Sequence, residues 1–521
     1  MELNQWQQAC VNAIQGSWVA VAGPGSGKTT VLVQRHLNML MRGINPKDIL
    51  NLTFTNAAAE AMAKKVGLLD ADEVFRTFHS FGIELLKNER DELPYELCDT
   101  VIPVSMEDYQ LLFDLVKKYP TLKNFRVLKD RISEWKRDNV TPEEAKDLVS
   151  GVEYFYALAY EDYERECRAQ GWLDFDSLLR ETCWLLETNE GVRNRWKRKY
   201  IAVDECQDTD IVQFRILQLI FDGNIFVVGD ENQLIYEWRS AQSGNLTNFS
   251  KLFPDAQTLY LGQNYRSTKV LVEFFKKILP VDNGIASHMI TENEEGVPPV
   301  FKKYSDPEEE AYWVLAQINE PTKTAILART NRQLFTFQKI CTMRNIKYQI
   351  LGKKDFWEQN EVKKLLTLAK EAASNRPANE VLQDLIHRHR LIDVYSQAIT
   401  KDSNPVENLN DVVKMAAGKG TIPEFLDYLR RRTHGRKSAK GLTLSTVHQA
   451  KGREWDNVFV VGAEQGRMPH VEGELKEEHR IFYVACTRAA KFLHISFSGH
   501  PSMFINDFKD QIINISNEEA I

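Results

Sequence analysis

The chain has 521 residues, a formal net charge of −7 and seven cysteines, none of them in a C-x-x-C pair. A length of this order accommodates about three or four domains, and the mild acidity means that any nucleic-acid binding comes from a local groove rather than from bulk charge. The scattered cysteines argue against a zinc site, an iron–sulfur cluster or a disulfide framework and for a reducing compartment; with no apolar run of the roughly 18–20 residues that a span requires and no signal-peptide pattern in Met1-Glu2-Leu3-Asn4-Gln5, the expectation is a cytoplasmic protein with no membrane partner.

In chain order, the first feature is Leu3-Asn4 followed by Gln7 and Cys10-Val11. A side-chain amide placed there can pair with an adenine edge; the plainer alternative is a helix-capping Asn. Next comes Val19-Ala20-Val21-Ala22-Gly23-Pro24-Gly25-Ser26-Gly27-Lys28-Thr29-Thr30. An apolar strand enters a glycine-rich loop, and Lys-Thr opens an amphipathic helix over 31–41. The glycines let backbone N–H groups face phosphate oxygens, and the helix N-terminus adds its positive dipole end. In such a loop Lys28 reaches the β- and γ-phosphates of ATP and the Thr29 hydroxyl holds Mg²⁺. The first loop position is Ala22 in place of the usual Gly.

Ile49–Asn56 is a buried strand running into polar residues, followed by a helix over 57–66; Val74–Phe81 is a short strand ending in Thr77-Phe78-His79. Polar and aromatic residues at strand ends suit the binding edge of an α/β sheet, although Phe54 and Phe78 taken singly read as core. Residues 82–171 turn helical, with helices expected over 106–119, 127–138 and 152–170. Ile132-Ser133-Glu134-Trp135-Lys136-Arg137 sets basic groups beside an indole, which reads either as a nucleic-acid face or as a solvated helix face.

The second strong signal is Tyr200-Ile201-Ala202-Val203-Asp204-Glu205-Cys206-Gln207-Asp208. An apolar strand ends in adjacent carboxylates. Beside a phosphate loop, Asp204 completes the Mg²⁺ shell and Glu205 takes a proton from the attacking water; a capping turn is the alternative. The strand 225–230 then leads to Gln233, placed to sense the γ-phosphate, and to Tyr236, Trp238 and Arg239, with Trp238 offering a flat face for a base. Gln263-Asn264-Tyr265-Arg266-Ser267 follows, its arginine placed as a finger in cis.

Beyond about residue 272 a second α/β pattern begins, with Thr324–Thr330 strand-like. Residues 371–437 are helical and end in the basic run Arg430–Lys437, which reads as a solvated linker or a nucleic-acid contact. Leu442–Trp455 is a strand entering a polar turn, 458–461 is a further strand, and 477–489 reads as one helix that puts Arg480 and Arg488, eight residues apart, on one face.

This series of segments resembles the UvrD/PcrA/Rep family of superfamily 1 helicases, in the family's order and over nearly the whole length. Gln7 matches the Q motif, Ala22–Thr29 motif I, Thr53–Met62 motif Ia, Thr77–His79 motif Ib, Val203–Asp208 motif II, Val228–Arg239 motif III, Asn264–Ser267 motif IV, Ser445–Glu454 motif V, and Tyr483–Ala489 with Arg480 motif VI; Asp174-Phe175 stands where the family returns from its first insertion. The resemblance implies an α/β fold of two RecA-like domains with ATP between them and single-stranded DNA across their top: 1A over 1–81 and 172–272, insertion 1B over 82–171, 2A over 273–370 and 438–521, and a short insertion 2B over 371–437. It implies Tyr265 on adenine, Arg266 and Arg488 on the γ-phosphate, and Glu454 near the ribose. Phe54, Thr55, Asn56, His79, Tyr236, Trp238 and His448 then follow the DNA strand.

The activity so implied is ATP-dependent 3′-to-5′ translocation and unwinding, on single strands and on junctions with duplex. The alternative is an ATP-gated DNA-sensing or regulatory subunit of a nuclease-containing complex, for instance an antiviral one, with weak unwinding of its own; a nuclease or a repair or replication factor is the partner to expect. Departures from the family pattern are Thr30 in place of an adenine-stacking Arg, Glu237 in place of Gly and Ala57 in place of Lys. Insertion 2B is short, no room is left for an appended nuclease domain, and Ser496–Pro501 stands where long members carry a strand-separation hairpin.

Overall fold

The computed structural model describes residues 3–67, 75–98, 105–236, 244–352, 355–372, 374–396, 404–433 and 441–514. The chain divides into two compact units, Met1–Tyr265 with Val281–Ile290 and Arg266–Pro280 with Thr291–Ile521. Each is a RecA-like α/β unit built on a parallel sheet, the fold class that the sequence predicts.

In the first unit the strands are β1 (Ser17–Ala22), β2 (Ile49–Thr53), β3 (Phe75–Thr77), β4 (Arg198–Val203), β5 (Phe221–Gly229) and β6 (Gln257–Leu261). They form a six-stranded sheet in the order β3-β2-β4-β5-β1-β6, and every pairing is parallel. Their near-continuous apolar runs are what a sheet covered on both faces requires. Side chains alternate between the two cores: Ile201, Val203, Ile225 and Val227 join one, while Tyr200, Ala202, Phe226 and Val228 join the other. Parallel pairing brings the C-terminal ends of all six strands to one edge, so the loops after β1, β4 and β5 are neighbours there.

The helix Phe78–Asn88 belongs to this sheet, with Phe78, Phe81, Leu85 and Leu86 in its core. The helices Ser105–Lys118, Phe125–Arg137, Pro142–Leu148 and Val152–Ala169 instead enclose a core of their own around Leu128, Ile132, Trp135, Tyr156, Tyr160 and Tyr163. Neither reading of the 132–137 segment holds at its centre. Trp135 is buried, and Lys136, with none of its surface exposed, places Nζ 2.5 Å from Glu164, 2.7 Å from Asp174 and 2.7 Å from Ser177 Oγ. Two carboxylates neutralise a lysine that the helix turns inward.

The second unit contains β7 (Val300–Lys303), β8 (Thr324–Ala328), β9 (Tyr348–Leu351), β10 (Leu442–Thr446), β11 (Trp455–Val460), β12 (Ala489–Phe497) and β13 (Ile512–Asn514). The sheet order is β13-β7-β12-β11-β8-β10-β9, again parallel throughout. Helices Asn360–Glu371, Ala378–Arg388, Pro405–Ala416 and Ile422–Thr433 pack on one another through Leu365, Leu382, Leu409, Val412 and Phe425.

One local expectation changes in this unit. The helix over 477–489 ends at Cys486, so Arg480 and Arg488 do not share a helical face; Arg488 lies past the C-cap and turns back on the helix end. The few residues around Phe497, where long family members carry the separation hairpin, do not project. Phe497 is the last residue of β12 and fully buried, and the next turn is pinned down, with Ser498 N and Gly499 N donating to Glu464 Oε2 and Ser502 N to Ala463 O. In the basic run, Arg430 and Arg431 pair with Asp427, and Arg432 donates to the carbonyls of Thr342 and Met343; residues 434–437 lie outside the described part. Among the described residues no helix is long and apolar enough to cross a membrane.

Candidate nucleotide and DNA-contact sites

The glycine-rich loop is clipped into shape from several directions. Gly23 N donates to Leu261 O at 2.9 Å, Asn264 Nδ2 to Pro24 O at 2.7 Å, Tyr265 N to Gly25 O at 2.9 Å and Gln7 Nε2 to Ser26 O at 3.3 Å. Gly25 and Gly27 have φ of 67° and 80°, a region that an L side chain rarely adopts. A Cβ on Gly27 would lie 2.9 Å from Gln7 Nε2 and would displace that amide. The helix Lys28–Met41 that follows has neither a side-chain cap nor an acidic residue in its first turn. Its orphan N–H groups and positive dipole end suit an anion. Thr29 and Thr30, partly exposed, sit in that first turn, and Ala22 ends β1.

Asn4 caps the helix Gln5–Asn12 in a capping box with Gln7, and also donates through Nδ2 to Gln263 Oε1 and to Tyr265 Oη, both at 2.7 Å. Tyr265 Oη donates to Gln7 Oε1 at 3.3 Å, and the residue is 46% exposed. Capping and loop support are thus combined in one cluster.

At the end of β4, Asp204 N donates to Leu52 O at 2.8 Å, and its carboxylate is buried. Burial first and the neighbouring Glu205 second push its pKa up to about 7, against the pull of Lys28. Glu205 takes a positive φ of 50°, costly for a residue with a Cβ, and its Oε2 lies 3.4 Å from Lys28 Nζ. Two adjacent carboxylates face one lysine, and a divalent cation supplies the charge such a pair lacks. The donor set fits Mg²⁺.

Two residues that sequence reasoning passed over complete the cluster. Gln207 Nε2 donates to Glu205 Oε2 at 2.7 Å, and its Oε1 accepts from Asp230 N at 3.0 Å. Asp230, its pKa raised by burial against the pull of Lys28, accepts from Gln233 Nε2 at 2.8 Å. Both lie inside the matched motifs, but their pairing across β4 and β5 is tertiary. Gln7, the loop 22–30, Asp204, Glu205, Gln233 and Tyr265 are therefore gathered at the C-terminal edge of one sheet.

The same edge carries aromatic residues. Phe54, after β2, stacks on Tyr236, after β5, with centroids 5.7 Å apart at 18°. Thr55 caps the helix Asn56–Val66, accepting from Ala58 N at 3.2 Å, and Asn56 opens that helix exposed. His79 meets Phe175 edge-on at 5.4 Å, and Phe175 is 57% exposed; its place beside Asp174 is the only hint in the sequence. Trp238 lies outside the described residues.

In the second unit Arg266 Nε binds Glu454 Oε2 at 2.6 Å, and its Nη1 donates to Thr487 O at 2.9 Å. Arg488, 1% exposed, donates through Nε to Val484 O at 3.0 Å, through Nη1 to Arg453 O at 3.3 Å and through Nη2 to Thr487 Oγ1 at 3.0 Å. Glu454 directly precedes β11 and Arg488 directly precedes β12, so this group sits at the N-terminal edge of its sheet. His448, partly exposed in the short helix Val447–Ala450, follows β10 and lies at the opposite, C-terminal edge.

Comparison with known proteins identifies the family. The UvrD/REP helicase N-terminal domain matches residues 3–254, and the UvrD-like helicase C-terminal domain matches 259–391 and 370–500. Among curated proteins, the ATP-dependent DNA helicase PcrA of Staphylococcus epidermidis is 27% identical over an alignment of 642 positions that covers 98% of this chain and 87% of the relative. The PcrA of Staphylococcus aureus is 26% identical with the same coverage. Two RecA-like sheets, a glycine loop joined to paired carboxylates and family matches along almost the full length lead to one conclusion: the chain belongs to the UvrD/Rep family of helicases.

Proposed function

We propose that this helicase acts on DNA at the expense of ATP and is a 3′-to-5′ translocase on single strands, with Mg²⁺ as its cofactor. The observation that carries the reading is the meeting of Lys28, Asp204, Glu205 and Gln233 on the sheet edge that also bears the Phe54–Tyr236 stack. Nucleotide chemistry and base stacking are then one strand-end loop apart. The four-part organisation into 1A, 1B, 2A and a short 2B, with the bounds given above, is part of the proposal.

In this mechanism the backbone of 23–27 and Lys28 hold the phosphates, while Gln7 and Tyr265 hold the adenine and Glu454 the ribose. Thr29 and Asp204 hold Mg²⁺, which when bound neutralises charge on the phosphates. Glu205 accepts the proton of the attacking water. Arg266 and Arg488 stabilise charge on the γ-phosphate, and Gln233 senses its presence. Phe54, Thr55, Asn56, His79, Tyr236, Trp238 and His448 grip the strand, the aromatic members by stacking. All seven cysteines are free thiols, and six are buried, which supports the reducing cytoplasm as the place of action.

The buried Phe497 and the tied turn after it favour limited unwinding by the isolated monomer. Each base-pair step opposes separation by about 1.4 kcal/mol of stacking, and that turn offers no projecting wedge. The direct test of translocation is stopped-flow on oligonucleotides labelled at one end. Arrival times that lengthen with strand length for a 5′ label, and not for a 3′ label, support the reading; the reverse pattern refutes the polarity.

A further inference from the structure

Glu205 occupies a backbone conformation with φ of 50° at the end of β4. A base there abstracts a proton only if its carboxylate is held toward the water, and Lys28, which ion-pairs with it, is the residue assigned to the phosphates. Gln207, which has none of its surface exposed, holds Glu205 independently of the nucleotide. Its orientation is fixed by chemistry. Asp230 N is a backbone donor, so the carboxamide atom 3.0 Å from it is the oxygen, and the amino group therefore faces Glu205 Oε2 at 2.7 Å.

The surroundings are built for this arrangement. Asn245 Nδ2 donates to Gln207 O at 3.3 Å and to Thr209 O at 2.7 Å, which anchors the backbone beneath the side chain. β5 ends in Gly229, where a Cβ would lie 2.4 Å from Gln207 Oε1. Only glycine leaves room for the carboxamide. Gln207 thus joins the carboxylate pair to Asp230, which in turn holds Gln233, and Tyr236 follows on the same segment.

We propose that Gln207 is a positioning residue for hydrolysis: it fixes the Glu205 carboxylate and ties it to the segment after β5 that carries Asp230, Gln233 and Tyr236. The proposal rests on the reading of Glu205 as the base. No bond to Gln207 forms or breaks; it keeps a hydrogen bond to Glu205 so that the proton leaves water for a carboxylate already in place.

The test uses the full chain in steady-state ATPase assays with saturating single-stranded DNA. Gln207→Met keeps the volume and removes the side-chain hydrogen bonds to Glu205 and Asp230, together with a longer one to Asp208 Oδ2 at 3.4 Å. Gly229→Ala leaves Gln207 unchanged and displaces its carboxamide, so it carries the test if the first variant fails to fold. In each, kcat falls by roughly 10- to 100-fold, as for a misplaced base, while the KM for ATP stays within about threefold. Neither change adds to the loss in a Glu205→Gln background. A role confined to holding the fold lowers the melting temperature and leaves kcat within about twofold, and that result overturns the proposal. If Glu205→Gln abolishes turnover while Gln207→Met and Gly229→Ala hydrolyse at the wild-type rate, only this proposal falls; if Glu205→Gln itself keeps turnover, the base assignment falls and takes the proposal with it.

Discussion

Lys28 Nζ stands 3.4 Å from Glu205 Oε2, so the cation assigned to the phosphates rests on the carboxylate assigned to the water. In the proposed mechanism, nucleotide binding draws Lys28 from this carboxylate toward the phosphates. Lys28→Ala is expected to abolish DNA-stimulated hydrolysis, because the β/γ charge loses its fixed cation. ATPase assays with and without single-stranded DNA check this, and turnover near wild type would remove the loop from the chemistry.

Arg488, proposed as a γ-phosphate finger, is also a structural group. Its guanidinium satisfies the carbonyls of Val484 and Arg453, and leaving buried acceptors without donors costs about 1–3 kcal/mol. Arg488→Ala should lower the melting temperature accordingly and reduce kcat by roughly 10³–10⁵, the range of an arginine finger, with much less effect on ATP affinity. Arg488→Lys should recover part of the stability and little of the rate. An unchanged rate constant in Arg488→Ala would leave the residue a helix-end clamp only.

The Phe54–Tyr236 stack predicts a binding phenotype. Tyr236→Ala should weaken single-strand affinity by about 1–3 kcal/mol, the worth of one base–aromatic contact, while ATPase without DNA is unaffected. The same is expected of Trp238→Ala. Affinity should also fall steeply with salt, because phosphate contacts release counterions. Fluorescence anisotropy over a salt series measures both effects, and equal affinity of mutant and wild type at every salt concentration counts against a DNA face here.

Much of this was legible in the sequence because it is local. The apolar run into Gly23–Gly27 and the run into Asp204-Glu205 each specify a strand end, and parallel pairing alone then brings the two ends to one edge. What escaped depends on contacts distant in sequence. Lys136 reads as a solvated cation until Glu164 and Asp174 close on it. Gln207 reads as one polar residue among several until Asp230 N approaches its oxygen. Arg488 continues a helical period on paper, but the chain leaves the helix at Cys486 to enter β12. Phe497 sits where long family members carry a hairpin, and its burial is set by neighbouring strands.

Lys136 provides a prediction separate from catalysis. Burial works against its charge, Asp174 and Glu164 outweigh that penalty, and its pKa is raised. Lys136→Met leaves those carboxylates without their cation, and breaking a buried pair from one side costs about 3–5 kcal/mol. Chemical denaturation should show a loss of this size, with ATP affinity unchanged in the folded fraction. A loss under about 1 kcal/mol would place the lysine among ordinary surface pairs.

The central claim, an ATP-driven motor that moves 3′-to-5′ and unwinds only weakly as a monomer, is tested most directly by strand displacement on duplexes with 3′ or 5′ single-stranded tails, under single-turnover conditions and with ATP hydrolysis followed in parallel. The account predicts brisk hydrolysis on both substrates and displacement only from the 3′ tail, poor with a tail that loads one molecule and better with a tail that loads several. Efficient displacement from the 5′ tail, or processive unwinding of long duplexes by a demonstrated monomer, would contradict it.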